Sequence, residues 1–87
     1  MANYQSKIKK QFKELGYTVL KVIKLSDSGY PDLLLLKDGQ ATWIEIKEKS
    51  DTLKPLQKLR ITELRQLGFD AYCLQDGKGK IYPIDEK

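Results

Sequence analysis

The sequence has no histidine and only one cysteine among its 87 residues, and these two absences exclude several kinds of chemistry. Without histidine there can be no Ser-His-Asp triad, no histidine general base and no histidine-ligated metal. Cys73 alone cannot form an internal disulfide or a cysteine zinc site, and its alternating apolar surroundings predict a buried core thiol. Any catalysis must therefore use carboxylates, lysines, hydroxyls or a metal held by oxygen ligands.

Long apolar runs are also missing from the sequence. The longest, Leu33 to Leu36, is far too short to cross a bilayer, so no membrane partner is expected. No apolar stretch follows the first basic residues, which leaves no visible secretory signal and predicts an intracellular, cytoplasmic protein. A length of 87 residues with an apolar share of 40% predicts one globular domain over residues 1–87.

The net charge of +4 is distributed unevenly along the chain. Residues 1–24 contain six lysines and one glutamate, whereas residues 25–47 contain two lysines and four acidic residues. A basic start followed by an acidic centre favours a polyanionic partner. The alternative is that the lysines form only the solvated face of a surface helix.

Hydrophobic periodicity and turn residues predict the element order α-β-β-β-α-β-β, a mixed α/β fold. The first helix is predicted over residues 3–15 and the second over 55–67, each ended by a glycine. Their predicted apolar stripes are Tyr4, Ile8, Phe12 and Leu15 in the first helix, and Leu56, Leu59, Leu64 and Leu67 in the second.

The five strands are predicted from β-branched, aromatic and leucine-rich segments. The leucine run Leu33 to Leu36, in a strand opened by Pro31, is expected to be buried on both faces of the sheet. The predicted strand ranges are 17–25, 31–36, 41–47, 71–75 and 80–84.

Asp38-Gly39 is a strong signal for a two-residue hairpin turn between the second and third strands. Such a turn fixes the register, and it places Asp32 directly opposite Glu45. Lys47 lies two residues beyond Glu45 and therefore emerges on the same face of the sheet.

Two opposed carboxylates repel each other, so their placement needs a physical reason. One possibility is a solvated sheet edge where water screens the pair and Lys47 acts as a counter-ion. The other is a divalent cation between the carboxylates, since Asp and Glu oxygens suit Mg²⁺, or Mn²⁺ in its place. The register alone leaves both possibilities open.

The ordered motifs are more specific than any one of them. Pro31-Asp32 followed by Glu45-Ile46-Lys47 resembles the PD-(D/E)XK nuclease pattern. Gly29-Tyr30-Pro31-Asp32-Leu33, the Ile44-to-Lys47 strand and a helix opening Pro55-Leu56-Gln57 resemble the VRR-NUC family of that superfamily. The similarity covers roughly residues 4–75 and implies a restriction-endonuclease-like core.

The resemblance implies a role for each matching residue. Asp32 and Glu45 would be the metal-binding carboxylates, the Ile46 carbonyl a further ligand, and Lys47 the catalytic lysine. Gln57 would contact a metal-bound water or position Lys47; its alternative role is a helix-start residue in a capping-box position. Gln5 stands where the family usually has an acid, and as a neutral amide it is the weaker ligand for Mg²⁺.

The resemblance also implies a function and partners. The preferred hypothesis is an Mg²⁺- or Mn²⁺-dependent DNA endonuclease of the stand-alone, phage type, acting as a homodimer on branched DNA such as Holliday junctions, with no small-molecule cofactor. The alternatives are a non-catalytic nucleic-acid-binding domain that keeps the fold, and an interaction module with merely solvated charges. Predicted phosphate, sugar or base contacts are Lys9, Lys10, Lys13, Lys21, Lys24 and Tyr30.

Overall fold

A computed structural model describes residues 3–84, and its five strands lie side by side in chain order, β1-β2-β3-β4-β5. The predicted order of helices and strands is confirmed. The elements are α1 (Tyr4–Glu14), β1 (Thr18–Lys21), β2 (Leu33–Lys37), β3 (Gln40–Lys47), α2 (Pro55–Gln66), β4 (Asp70–Gln75) and β5 (Gly79–Tyr82). Neither helix within residues 3–84 is long and apolar enough to span a membrane.

The sheet is mixed because one connection is a helical crossover. Strands β1, β2 and β3 pair antiparallel, as do β4 and β5. Strands β3 and β4 are parallel, with Lys47 opposite Gln75, and α2 connects them. Parallel neighbours need such a crossover, which places α2 on one face of the sheet.

The hairpin between β2 and β3 has the predicted register. Asp38 and Gly39 form the turn with φ angles of 53° and 76°, the two left-handed positions that a type I′ turn requires. Leu34 pairs with Trp43, and Lys37 pairs with Gln40. Leu33, the first residue of β2, pairs with Ile44, so one further step in the same register places Asp32 opposite Glu45.

Alternating residues of β2 and β3 serve two separate cores. On one face, Ile8 of α1 packs with Leu33, Leu35, Ile44 and Ile46. On the other face, Ile61 and Leu64 of α2 pack with Ala71 and Cys73, and Trp43 packs against them. Glu45 and Lys47 follow Trp43 at intervals of two residues, so their side chains lie on the same face of the sheet, the α2 face.

Two predictions about the strands were wrong in detail. The first strand ends at Lys21 instead of residue 25, and Ile23 beyond it is 85% exposed. The β2 strand starts at Leu33, not Pro31, and it is not buried along its whole length because Leu36 is exposed. Leu36 and, in β1, Leu20 are exposed because α2 packs mainly against β4.

The predicted stripes of the two helices were also partly wrong. In α2, Leu64 is buried as predicted, but Ile61 is its buried partner, and Leu53 joins this core from outside the helix. In α1, Tyr4, Ile8 and Phe12 face the core as predicted, whereas Leu15 is the exposed C-cap. The remaining predicted stripe residues of α2 are exposed: Leu56, Leu59 and Leu67.

Candidate active site

The Asp32 carboxylate is held against β3 by the main chain. Asp32 follows the buried Pro31 at the point where the chain re-enters the sheet, and its carbonyl accepts a hydrogen bond from the Val22 N–H at 2.7 Å. Its side-chain Oδ2 accepts the Ile46 N–H at 3.0 Å. The carboxylate is therefore fixed beside the residue that follows Glu45.

Glu45 and Lys47 are buried charged residues on the same face of β3. Glu45 is 3% exposed and Lys47 is 5% exposed. The Lys47 ammonium Nζ lies 3.5 Å from Glu45 Oε2. Burial of this degree excludes a solvated sheet edge as the explanation for the opposed carboxylates, and the shared face predicted for Glu45 and Lys47 is confirmed.

Glu45 carries electrostatic strain in this environment. Burial, and next the charge of Asp32, raise its pKa to about 8, although Lys47 acts in the opposite direction. Its Oε1 is buried and has no hydrogen-bond partner within residues 3–84. A buried carboxylate oxygen without a partner is costly, and it marks a position where a ligand can compensate.

A divalent cation fits this donor set. Asp32 and Glu45 supply hard, anionic oxygens, and the unpartnered Oε1 is free to coordinate. Residues 3–84 contain no cluster of three acidic, cysteine or histidine side chains, so the remaining ligands would be main-chain oxygen or water. The predicted Ile46 carbonyl ligand stays a prediction; what the structure ties to Asp32 is the Ile46 N–H.

Two residues near Lys47 were missed by the sequence reasoning. The buried Gln75 side chain donates from Nε2 to the carbonyls of Glu48, Lys49 and Asp51, at 2.9, 3.3 and 2.8 Å. This holds the loop after β3 so that Asp51 Oδ2 lies 3.8 Å from Lys47 Nζ. Alternation in β4 indicated the face of Gln75, but its position opposite Lys47 depends on a parallel register that no local motif encodes.

The two predicted glutamines lie in the first turns of the two helices. Gln57 Oε1 accepts the Lys54 N–H at 2.9 Å, which is the helix-start role. Gln5 is half-buried in the first turn of α1. Within the described residues neither side chain hydrogen-bonds to Asp32, Glu45 or Lys47. Their catalytic roles stay predictions.

Four of the six predicted nucleic-acid contacts lie on the α1 side of the sheet, opposite Glu45. The helix that carries Lys9, Lys10 and Lys13 covers the sheet face opposite Glu45, and Lys21 pairs with Leu33 on that same face. Lys24 lies in the β1–β2 loop and, like Tyr30, lines a cleft of about 300 Å³.

Tyr30 and Cys73 have structural surroundings. The Tyr30 ring packs 6.1 Å from the Trp43 ring and 4.9 Å from the Arg60 guanidinium, so at least part of its surface is occupied by protein. The prediction of a buried Cys73 thiol is confirmed, and burial followed by the nearby Glu45 raises its pKa to about 12. Such a thiol is not a nucleophile at neutral pH.

Comparison with solved structures defines the class of this fold. The chain resembles Archaeoglobus fulgidus Hjc, a Holliday junction resolvase, with a TM-score of 0.64 and 18% identity over 83% of this chain and 64% of that one. It also resembles a structure described as a VRR_NUC domain, with a TM-score of 0.69 and 30% identity over 79% of this chain and 76% of that one. The fold is therefore of the nuclease type.

The family follows from the sequence itself. The VRR-NUC domain model matches residues 2–76, so the chain belongs to the VRR-NUC family, as its motifs indicated. No curated protein matches the chain.

Proposed function

We propose that this protein is a divalent-metal-dependent DNA endonuclease that hydrolyses phosphodiester bonds at the Asp32–Glu45–Lys47 site. The observation that carries the proposal is the environment of Glu45. Its Oε1 is buried and has no hydrogen-bond partner within residues 3–84. A second carboxylate, that of Asp32, lies opposite, and the buried Lys47 ammonium lies 3.5 Å from the other oxygen, Oε2. This donor set suits Mg²⁺, with Mn²⁺ as a substitute. The match to the VRR-NUC domain model supports the assignment as a nuclease.

The chain's own residues divide the work of hydrolysis. Asp32 and Glu45 would hold the cation, which when bound supplies Lewis-acid activation of water and neutralises phosphate charge. Lys47 keeps its ammonium on the same face, where it can orient the attacking water or donate to the phosphate oxygen that gains charge. The loop held by Gln75 places Asp51 Oδ2 3.8 Å from this ammonium.

A cleavage assay with labelled DNA tests the activity. The substrates are a four-way junction, a flap and a linear duplex, each incubated with Mg²⁺, Mn²⁺ or EDTA. We expect cleavage that EDTA abolishes and that Lys47→Ala lowers by about a hundredfold or more, the usual cost of losing a group that stabilises transition-state charge. Lys78→Ala, in the exposed β4–β5 turn, is the matched lysine control and should cleave normally.

The same assay separates the alternatives. DNA binding without cleavage in either metal would support a non-catalytic nucleic-acid-binding domain, a reading that Gln5 favours because an amide stands where an acid is expected. Neither binding nor cleavage would leave an interaction module. Cleavage that survives Lys47→Ala would remove Lys47 from the catalytic role.

Branched DNA and a homodimer are the finer parts of the proposal. The fold is shared with Hjc, a resolvase of Holliday junctions, which makes the four-way junction the first substrate to test. Paired cuts in two strands need two sites, and a dimer supplies them. Sedimentation should give the mass of two chains for the protein alone and the mass of two chains plus one junction for the complex. A single chain on junctions that are cleaved would contradict the dimer.

We also propose that the lysines of α1 contact DNA phosphates, although α1 lies on the sheet face opposite Glu45. The double charge reversal Lys10→Glu with Lys13→Glu should weaken binding to every DNA form alike, because phosphate contacts carry no sequence information. It should also flatten the salt dependence of binding. Unchanged binding and salt slope would assign these lysines to a solvated helix face.

A further inference from the structure

The loop that delivers Asp32 to the site depends on helix α2. Residues 22–31 connect β1 to β2 outside the sheet, and the Val22 N–H bond to the Asp32 carbonyl closes its base. Most of the loop is exposed, so the sheet alone gives it little support. Its other contacts therefore decide how firmly Asp32 is placed.

Arg60 makes the main polar contact between α2 and this loop. Its Nε donates to the Ser28 carbonyl at 2.8 Å, across 32 residues of sequence. The guanidinium is oriented by a second bond, from Nη1 to Glu63 Oε1 at 3.0 Å on the same helix. A planar guanidinium held at two of its nitrogens has little freedom left.

The same side chain also contacts the aromatic pair beside the site. The Arg60 guanidinium lies 4.9 Å from the centre of the Tyr30 ring, and the Tyr30 ring packs against Trp43. Trp43 shares the β3 face with Glu45. Arg60 thus contacts the loop at Ser28 and Tyr30, four and two residues before Asp32.

The helix approaches the loop too closely for any side chain at position 29. A Cβ added to Gly29 would lie 2.6 Å from Leu56 Cγ and 3.3 Å from Arg60 Cγ. Gly29 also has a φ of 88°, which favours glycine. The first two turns of α2 and residues 28–30 are therefore packed as one unit, with Arg60 as its polar link.

We propose that Arg60 is a positioning residue for the metal site: by holding Ser28 and Tyr30 it fixes the Asp32 carboxylate beside Glu45. Its consequence for metal binding rests on the proposed function, whereas its effect on Asp32 does not. Within the described part of the chain Arg60 makes no hydrogen bond or ion pair with Asp32, Glu45 or Lys47, so it acts through the loop.

The Ile46 N–H provides a direct readout of the Asp32 carboxylate in metal-free protein, because Asp32 Oδ2 is its acceptor. Amide hydrogen exchange of Ile46 is measured by NMR in the wild type, Arg60→Ala, Arg60→Lys and Arg65→Ala. Arg65 lies on the same helix and donates to a different carbonyl, that of Ala71, which makes it the matched control. Asp32→Ala, which removes the acceptor, defines the largest change.

We expect Ile46 to exchange about tenfold faster in Arg60→Ala, in line with the loss of a hydrogen bond from a charged donor. Arg60→Lys should fall between this variant and the wild type, since lysine keeps the charge but not the planar fork. In Arg65→Ala the Ile46 rate should match the wild type, and the rate of the core amide Ile44 should be unchanged in all the arginine variants.

Calorimetric titration with Mn²⁺ alone then tests the consequence for the site. Without metal, Arg60→Ala and Arg65→Ala should have equal thermal midpoints of unfolding. Arg60→Ala should nevertheless bind Mn²⁺ severalfold more weakly than Arg65→Ala. Wild-type Ile46 exchange in Arg60→Ala, or an equal rise at Ile44 and Ile46, would overturn the positioning role. A wild type that does not bind Mn²⁺, with the Ile46 result intact, would instead overturn the proposed function and leave the positioning of Asp32 standing.

Discussion

The two faces of β3 are built from alternating residues of one strand, yet they differ in kind. The α1 face presents Ile44 and Ile46 to an apolar core completed by Ile8. The α2 face presents Trp43, Glu45 and Lys47, so two charged groups lie at the same depth as the isoleucines. The four residues from Ile44 to Lys47 are all buried. The side of the strand on which a residue lies therefore decides whether it meets the apolar core under α1 or the charged group under α2.

This difference separates stability from chemistry within one strand. Burial of apolar side chains on the α1 face stabilises the sheet, whereas burial of Glu45 beside Asp32 costs free energy unless a cation is present. The strand can hold an unfavourable group on one side because its other side is anchored. The following predictions test that division, from the largest expected effect to the smallest.

Ile44→Ala should lower the free energy of unfolding by about 2–5 kcal/mol, the usual range for a buried large-to-small change. Ile44 is fully buried, so the cavity has no access to solvent. Urea denaturation measures the change, with the exposed Leu36 mutated to alanine as the control. A loss no larger than that of Leu36→Ala would show that the α1 face is not where stability resides.

Glu45→Gln should change how stability depends on pH. The raised pKa, about 8, means that the folded state binds a proton more tightly than the unfolded state, whose carboxyl titrates near 4.5. This contribution is fully present below pH 4.5 and is lost as the pH rises through 8, at about 1.4 kcal/mol per pKa unit. The metal-free wild type should therefore lose stability over this range, and the variant should not.

Thermal unfolding at several pH values checks this prediction, and no histidine titrates in the same window. At pH 8 the metal-free variant should be more stable than the wild type. Adding Mg²⁺ should reverse the order, because the wild type alone keeps both carboxylates. An identical pH slope in the two proteins would contradict the electrostatic account of the α2 face.

Gln75→Ala should lower the free energy of unfolding by about 1–3 kcal/mol, because three loop carbonyls lose their donor. Cleavage should fall further than stability explains, since the loop also presents Asp51 to Lys47. Activity is measured well below the unfolding temperature, with Asp51→Asn as a variant that removes the charge and keeps the loop. Full activity in Gln75→Ala would show that the loop does not orient Lys47.

Gln57→Ala separates the two roles predicted for that glutamine. Loss of its bond to the Lys54 N–H should cost about 0.5–2 kcal/mol, as for other helix-start groups. Gln57→Glu preserves an acceptor at this position and should restore stability. Cleavage rates that fall sharply in both variants would return Gln57 to the site.

Local signals predicted the parts of the fold that depend on neighbours in sequence. The Asp38-Gly39 turn determined the register of β2 and β3, and hence the facing of Asp32 and Glu45. Turn chemistry acts over four residues and needs no tertiary context. The roles of Asp32, Glu45 and Lys47, by contrast, were predicted from the resemblance of their motif to the VRR-NUC family.

The predictions that were wrong or missing concern contacts between segments that are distant in the sequence. The apolar residues of α2 satisfy more than one helical stripe, and only docking on β4 selects Ile61 and Leu64 over Leu56 and Leu59. The burial of Lys47 also depends on its partner strand, because Gln75 arrives from the far side of a crossover. Periodicity describes one element at a time and contains no information about its partner.

The hydrogen bonds of Gln75 join segments that are distant in the sequence. The hairpin turn needs two residues to reverse the chain, whereas the bonds from Gln75 close loops of 24 to 27 residues. Long closures cost more entropy and form after local contacts. In a chain still emerging from the ribosome, with β1 to β3 paired but β4 absent, Asp32, Glu45 and Lys47 would already be present, but the loop that carries Asp51 would lack its Gln75 donor. The surroundings of Lys47 are therefore complete only when β4 has paired with β3.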